Sequence, residues 1–244
     1  MSAHAAASPS TSAMWLVCPA SITKAAGKTR PSSKYAREGT AAHQVAEGII
    51  RGDPFPPEKV TVEGEEFIVG RNMLSDLNPY IAHIQALKDY NFNVLTEQRV
   101  SIGTSGGWVW GTADCIAWQQ NVLEIVDLKF GKGVKVSLKS PQLKIYALGA
   151  LELLSIFGVF KAVVTTIVQP RLDPVPQSEP FHADELREWK NTDLDPAIAK
   201  IMYGDETEVA GPHCRWCVRR DECSAYNSLR SGKAADAFDD KVVD

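Results

Sequence analysis

The chain has 244 residues, 44% of them hydrophobic, which is enough to bury one generous core and calls for no second. Its formal net charge of -4 excludes a protein that holds nucleic acid by overall basicity, so such a partner would need a local patch. With 5 cysteines and no secretion signal read in the sequence, the composition argues against a disulfide framework and for reduced thiols open to metal ligation.

The opening stretch MSAHAAASPSTSAMWLVCPAS lacks a basic n-region, and its apolar run AMWLVC is too short for a signal peptide or a membrane span. The expected protein is cytoplasmic, with no membrane partner. Ala41, Val45, Ala46 and Ile49 recur at helical spacing and predict a helix over about residues 33–51. KVTVEGEEFIVG reads as a hairpin turning near Glu63-Gly64, and RNMLSDLNPYIAHIQALKDY as a long helix interrupted near Pro79. Three strand-like runs follow, FNVLTEQRVSI, GWVWGTADCIAW and NVLEIVDLKF. SPQLKIYALGALELLSIFG is a helix with Ser140 as its cap and Pro141 at its first position. KAVVTTIVQP is a β-branched strand, ADELREWKNTDLDPAIAKIMYG is helical, and residues 233–244 read as a disordered acidic tail. The order predicts an α/β fold, a central mixed sheet flanked by helices, within a single domain over residues 1–232.

Side chains i and i+2 share one face of a strand, so Asp127 and Lys129 point together from the end of VLEIVDLK. Asp114 lies one strand earlier, and a turn around Gln119-Gln120-Asn121 would bring it beside Asp127. Two converging carboxylates repel unless a cation lies between them. Two Asp and a backbone carbonyl, here that of Leu128, are the hard oxygen ligands that Mg²⁺ prefers. Lys129 beside them would stabilise negative charge growing on a phosphate. That constellation suits phosphodiester hydrolysis.

GTADCIAW, LEIVDLKFGKG and SPQLKIYALGA, taken in this order, resemble the core of the PD-(D/E)xK nucleases in their RecB-like branch. The likeness covers roughly residues 33–168 and implies a restriction-endonuclease-like catalytic core that uses Mg²⁺ or Mn²⁺. On it, Asp114 is the first acid, Asp127 and Lys129 form the acid-x-Lys element, and Gln142 and Tyr146 accompany the site from the next helix. REGTAAHQVAE resembles the helix bearing the metal-binding histidine, here His43, and Glu97 falls where some members carry a further acid.

HCRWCVRRDEC contains Cys214-x2-Cys217-x5-Cys223, a metal-ligand spacing that is one ligand short of a closed site. Cys18, at the far end of the chain, would supply the fourth. By ligand type alone Zn²⁺ is the default for four cysteines. One cysteine before the core and three after it resemble the iron–sulfur RecB-like nucleases, among them AddB-like and CRISPR-adaptation nucleases. That resemblance implies a [4Fe–4S] cluster stapling residues 10–25 to residues 205–228.

Between Leu128 and Leu151 there is no acid, while Lys132, Lys135, Lys139 and Lys144 join Lys129 in a basic loop and helix start suited to sequence-blind phosphate contacts. Trp108, Trp110 and Trp216 are candidates for stacking on unpaired bases. No G-x-x-x-x-G-K-[ST] motif is present, which fits a stand-alone protein of bacteriophage or prophage type. The expectation is a DNA exonuclease acting on linear duplex or single-stranded DNA in recombination, with a single-strand-annealing protein as partner. A structure-specific or restriction-type endonuclease and a non-catalytic iron–sulfur DNA-binding adaptor are the alternatives.

Overall fold

The computed structural model describes residues 7–25, 27–29, 31–103, 109–133 and 135–239. Trp108 and residues 240–244 of the expected tail lie outside the described residues. Two short helices, α1 (Ser12–Trp15) and α2 (Ala20–Thr23), precede α3 (Lys34–Arg51). Ser33 caps α3 by accepting the Ala36 N–H, and Gly52 ends it at φ 92°, the left-handed position that glycine takes without strain. Strands β1 (Lys59–Val62) and β2 (Glu65–Ile68) form the hairpin anticipated around Glu63-Gly64.

Helix α4 (Arg71–Asp89) runs unbroken through Pro79, where the sequence had pointed to an interruption. Proline removes one helical N–H. Burial of Leu77, Tyr80, Ile84 and Leu87 at helical spacing outweighs that loss.

Strands β3 (Asn93–Ser101), β4 (Trp110–Gln119), β5 (Val122–Leu128), β6 (Ala162–Gln169) and β7 (Asp173–His182) form one sheet in that order. Only β5 and β6 are parallel among these pairs, and α5 (Pro141–Leu153) makes the crossover between them. The sheet is therefore mixed, with helices on both faces. Leu123 and Ile125 pack with Leu143, Ala147 and Leu148 of α5, while Val126 and Leu128 pack with Val45 of α3 and Leu77 and Ile84 of α4. Alternation along β5 puts Asp127 on the α5 face with Leu123 and Ile125.

Strand β7 had not been anticipated, because Pro174, Pro176 and Pro180 punctuate it. An edge strand tolerates such residues, since the donors that proline lacks can face away from the ladder. After β7, α6 (Ala183–Trp189) continues through one wide turn, Lys190–Leu194, into α7 (Asp195–Met202). Helix α8 (Ser224–Asp239) carries helical backbone into the stretch expected to be a disordered tail.

Residues 20–24 and 205–208, far apart in sequence, meet. Ala20 N–H donates to Thr207 O at 3.3 Å, and Thr23 Oγ1 donates to Asp205 O at 2.8 Å. Glu208 completes the junction, accepting from Lys24, Arg219, Ser224 and the Ala225 N–H. Among the described residues, no helix is long and apolar enough to cross a membrane.

Candidate functional site

The ends of β4 and β5 are tied side chain to backbone. Asp114 Oδ2 accepts the Leu128 N–H at 2.7 Å, and His43 Nε2 of α3 lies 3.1 Å from the Leu128 carbonyl oxygen. The other ring nitrogen, Nδ1, faces Asp114 Oδ1 at 3.4 Å and Glu97 Oε1 at 3.6 Å. Ligand atoms of His43, Glu97 and Asp114 all fall within 4.8 Å of one another. Three elements remote in sequence thus aim two carboxylates and an imidazole at one point.

Glu97 sits between the paired residues Thr96 and Gln98 of β3 with φ 47°, left-handed backbone in the middle of a strand. Such a conformation costs a non-glycine residue about 1–3 kcal/mol and concentrates at functional sites.

Asp127 is 1% exposed and faces α5. Lys129 Nζ lies 3.0 Å from its Oδ1 and 2.8 Å from its Oδ2, and donates to Gln142 Oε1 at 3.2 Å. Gln142 Nε2 reaches Asp127 Oδ1 at 3.4 Å and Tyr146 Oη at 3.2 Å. Asp127 Oδ2 is buried without a well-directed hydrogen bond, close as Lys129 is. The N-terminal segment presses on this cluster: a Cβ on Gly111 would come within 2.9 Å of Pro9 Cγ and 3.0 Å of Tyr146 Cε1.

Electrostatics follow from burial and crowding. Burial opposes the His43 imidazolium, but Asp114, Glu97 and Asp127 outweigh it and raise the group to about 9. Burial also drives Asp114 up to about 7, against the pull of His43 and Lys129. The pair therefore holds a proton where several carboxylates want a cation. Lys129 is raised too: burial works against its charge, and Asp127 and Asp114 more than compensate. Burial pushes the Tyr146 and Tyr80 hydroxyls up.

Around this centre the expected cations differ in placement. Lys132, Lys135 and Lys139 are exposed on the segment between β5 and α5. Lys144 Nζ instead lies over the rings of Trp189 and Phe181, at 4.9 and 5.8 Å. Trp110 is covered by Arg99, whose guanidinium carbon is 3.8 Å from the ring centre, and Trp216 is 64% exposed beside Arg215.

Two residues escaped the sequence reading. Tyr80 of α4 is buried close enough to feel Asp114, Glu97 and Asp127. Arg171, in the β6–β7 turn, donates to the Phe130 carbonyl at 3.3 Å, stacks on the Phe130 ring, and pairs with Glu38 at 3.1 Å and Asp76 at 3.5 Å. It ties the exit of β5 to the helices that carry His43 and Tyr80. Only its position in a loop marked it in the sequence, and nothing there named its partners.

Cys18, Cys214, Cys217 and Cys223 are free and buried. Burial raises the Cys217 thiol, and the other three cysteines reinforce that rise, so all four share one neighbourhood. Val209 N–H donates to Cys18 Sγ and Gly211 N–H to Cys214 Sγ, each at 3.4 Å. Cys115, next to Asp114, is buried in the α3 and α4 side of the core.

Among solved structures, the chain is similar to the crystal structure of SSO0001, at 14% identity over 90% of this chain and 85% of that one, with a TM-score of 0.37. It is similar to LHK-Exo in complex with dAMP, at 12% identity over 79% and 91% of the two chains, TM-score 0.35. A third likeness is to an alkaline exonuclease, LHK-Exo, from Laribacter hongkongensis, at 13% identity over 78% and 94%, TM-score 0.31. Residues 4–242, nearly the whole chain, match the family described as "Protein of unknown function (DUF2800)", and the chain belongs to that family.

Proposed function

We propose that the protein is a Mg²⁺- or Mn²⁺-dependent DNA exonuclease. One observation carries the reading: Asp114, Glu97 and His43 converge, His43 also lies against the Leu128 carbonyl, and the Asp127–Lys129 pair stands at the same strand end. Carboxylates and a carbonyl are the donors such cations take, and the buried Asp127 Oδ2 lacks a well-directed donor of its own. His43, Glu97, Asp114, Asp127 and the Leu128 carbonyl would hold the ion. It would supply Lewis-acid polarisation of a phosphodiester oxygen and a nucleophile at neutral pH.

The chain's own groups do the rest. Hydrolysis adds water across a P–O bond, and negative charge grows on the phosphoryl oxygens. Lys129 is kept cationic by Asp127 and Asp114, and can stabilise that charge. Gln142 and Tyr146 hold Lys129 and Asp127 in register from α5. Exposed Lys132, Lys135 and Lys139 suit phosphate contacts, which position DNA without reading it. Phosphate contacts alone select no internal sequence, so cleavage would run everywhere unless access demanded a strand end. This supports end-directed cleavage, in keeping with a cytoplasmic recombination role beside a single-strand-annealing protein.

The four buried cysteines fit a structural metal centre joining the chain ends. Backbone N–H donors to Cys18 and Cys214 suit thiolate ligands. We take the centre to be a [4Fe–4S] cluster rather than the zinc that four cysteines would hold by default, on the pattern of one cysteine before the sheet and three after it. Degradation of end-labelled linear DNA with Mg²⁺, compared with Asp127→Ala, tests the activity. Equal degradation by both proteins would reject the site.

A further inference from the structure

On the face of the sheet that carries Asp127, a cavity of about 670 Å³ opens beside the site. Its floor includes Ile167, the register partner of Asp127 on β6, and Gln177, the register partner of Ile167 on β7. Paired strands stand about 4.8 Å apart, so the row from Asp127 to Gln177 spans about 10 Å of sheet.

One wall is Val136 and Leu138, on the segment that leads from Lys129 to the Gln142 helix. Val136 N–H donates to Gln169 Oε1 at 3.1 Å, which fixes that wall to β6. Lys135 and Lys139 stand exposed on the same segment. Val175, 60% exposed, shares the Gln177 face of β7 and lines the cavity with Leu172. Asp173 and Glu179 complete the lining, with Asp173 accepting the Val175 N–H at 3.0 Å and lying 3.5 Å from Gln177 Nε2.

The chemistry is that of a nucleobase on an anionic backbone. Apolar walls match the flat faces of a base, while carboxylate and amide groups match its polar edge. Carboxylates inside keep phosphates out, and lysines at the lip draw them along it. We infer that this cavity is a subsite for an unpaired nucleobase of the DNA strand held at the Asp127 site. The inference rests on the nuclease reading, since that site places the strand.

The test uses the full-length protein and a short single-stranded oligodeoxynucleotide carrying 2-aminopurine at successive positions from one end, in chelator so that no turnover occurs. Emission should change at one position or two adjacent ones, and an abasic residue there should weaken binding about tenfold, the scale of one stacked base. Val175→Trp, at an exposed strand position that accepts a large ring, should abolish both effects with an unchanged thermal melt. If that variant melts early, Ser137→Trp fills the cavity from the Val136 and Leu138 wall and carries the same expectation.

An emission change independent of position, an abasic residue without effect, or a filled cavity that keeps both signals would overturn the subsite. Cleavage is read separately in Mg²⁺. Loss of cleavage with a retained position-specific signal rejects the nuclease reading and upholds the base site. Cleavage without such a signal rejects the base site alone.

Discussion

Asp114 and Leu128 hold the ends of two strands together: the carboxylate accepts the Leu128 N–H at 2.7 Å while the Leu128 carbonyl faces His43 Nε2 at 3.1 Å. One peptide segment thus fixes an acid with its N–H and presents an oxygen to the same centre. Asp127 and Lys129 flank that residue, so the order acid, carbonyl, lysine at the end of β5 and just past it is also the order in which the site is built.

Removing the lysine should expose how much the pair matters. Lys129→Met leaves Asp127 buried without its ion pair, which costs about 3 kcal/mol in metal-free protein. The double variant Lys129→Met/Asp127→Asn should recover most of that loss in urea unfolding. Lys129→Met should also lower the cleavage rate at least about 10²-fold, as expected when a charge-stabilising donor is lost. Unchanged stability and rate would show that Lys129 merely decorates the strand.

pH acts on this centre with one sign. A group whose folded value is raised contributes stability below its unfolded value and gives it up as pH climbs through the folded one. His43 does so between about 6.5 and about 9, and Asp114 between about 3.8 and about 7. Metal-free protein should therefore melt lower as pH rises from about 4 to about 9, and His43→Gln should flatten the upper half of that decline. A divalent cation must displace the His43 proton, so its apparent affinity should rise over the upper window, at most about tenfold per pH unit. Calorimetry in buffers of different ionisation heat would reveal the released proton; an affinity independent of pH would contradict the ligand assignment.

Glu97 offers a separation of strain from ligation. Glu97→Gln removes the charge and keeps the strain of the left-handed backbone, whereas Glu97→Gly removes the charge and the strain together. The glycine variant should be the more stable of the two by about 1 kcal/mol, since relief of strain exceeds the glycine penalty in a strand. Both should bind metal more weakly than the parent. A glycine variant less stable than the glutamine variant would mean that the backbone there stores no strain.

The thiol centre predicts a colour and a stoichiometry. Anaerobically purified protein should be brown with about four irons per chain, and Cys18→Ser should bleach it although the other three cysteines lie at the opposite end of the chain. Stoichiometric zinc without iron would overturn the metal choice. Glu208 beside it is held at about 2, chiefly by the Ser224 hydroxyl against the cost of burial, with help from the Ala225 N–H and Arg219. A depressed acid contributes stability above its unfolded value and loses it as pH falls, here from about 4.5 to about 2. Glu208→Gln should accordingly weaken the junction at neutral pH and blunt that acid-side decline.

What was legible in the sequence was whatever local chemistry dictates. The alternation of VLEIVDL placed Asp127 and Lys129 at a strand end, and Ser140-Pro141 opened α5 so that Gln142 and Tyr146 face them. What stayed hidden depended on tertiary context. Pro79 disappears into a helix held by its buried face, and the prolines of β7 are tolerated only because that strand is an edge. Arg171 gathers Phe130, Glu38 and Asp76 from three distant segments, a grouping that no spacing announces. The φ of Glu97 is likewise a product of the sheet and is absent from any propensity of VLTEQRV.

The Asp114–Asp127–Lys129 centre is expected to hydrolyse DNA from its ends in a metal-dependent reaction. Its most direct test places end-labelled linear DNA and a covalently closed circle side by side with Mg²⁺, using parent protein and Asp127→Ala. The linear DNA should shorten progressively, the circle should stay intact, and the variant should show no reaction. Cleavage by Asp127→Ala at the parent rate, or rapid linearisation of the circle by the parent protein, would contradict it.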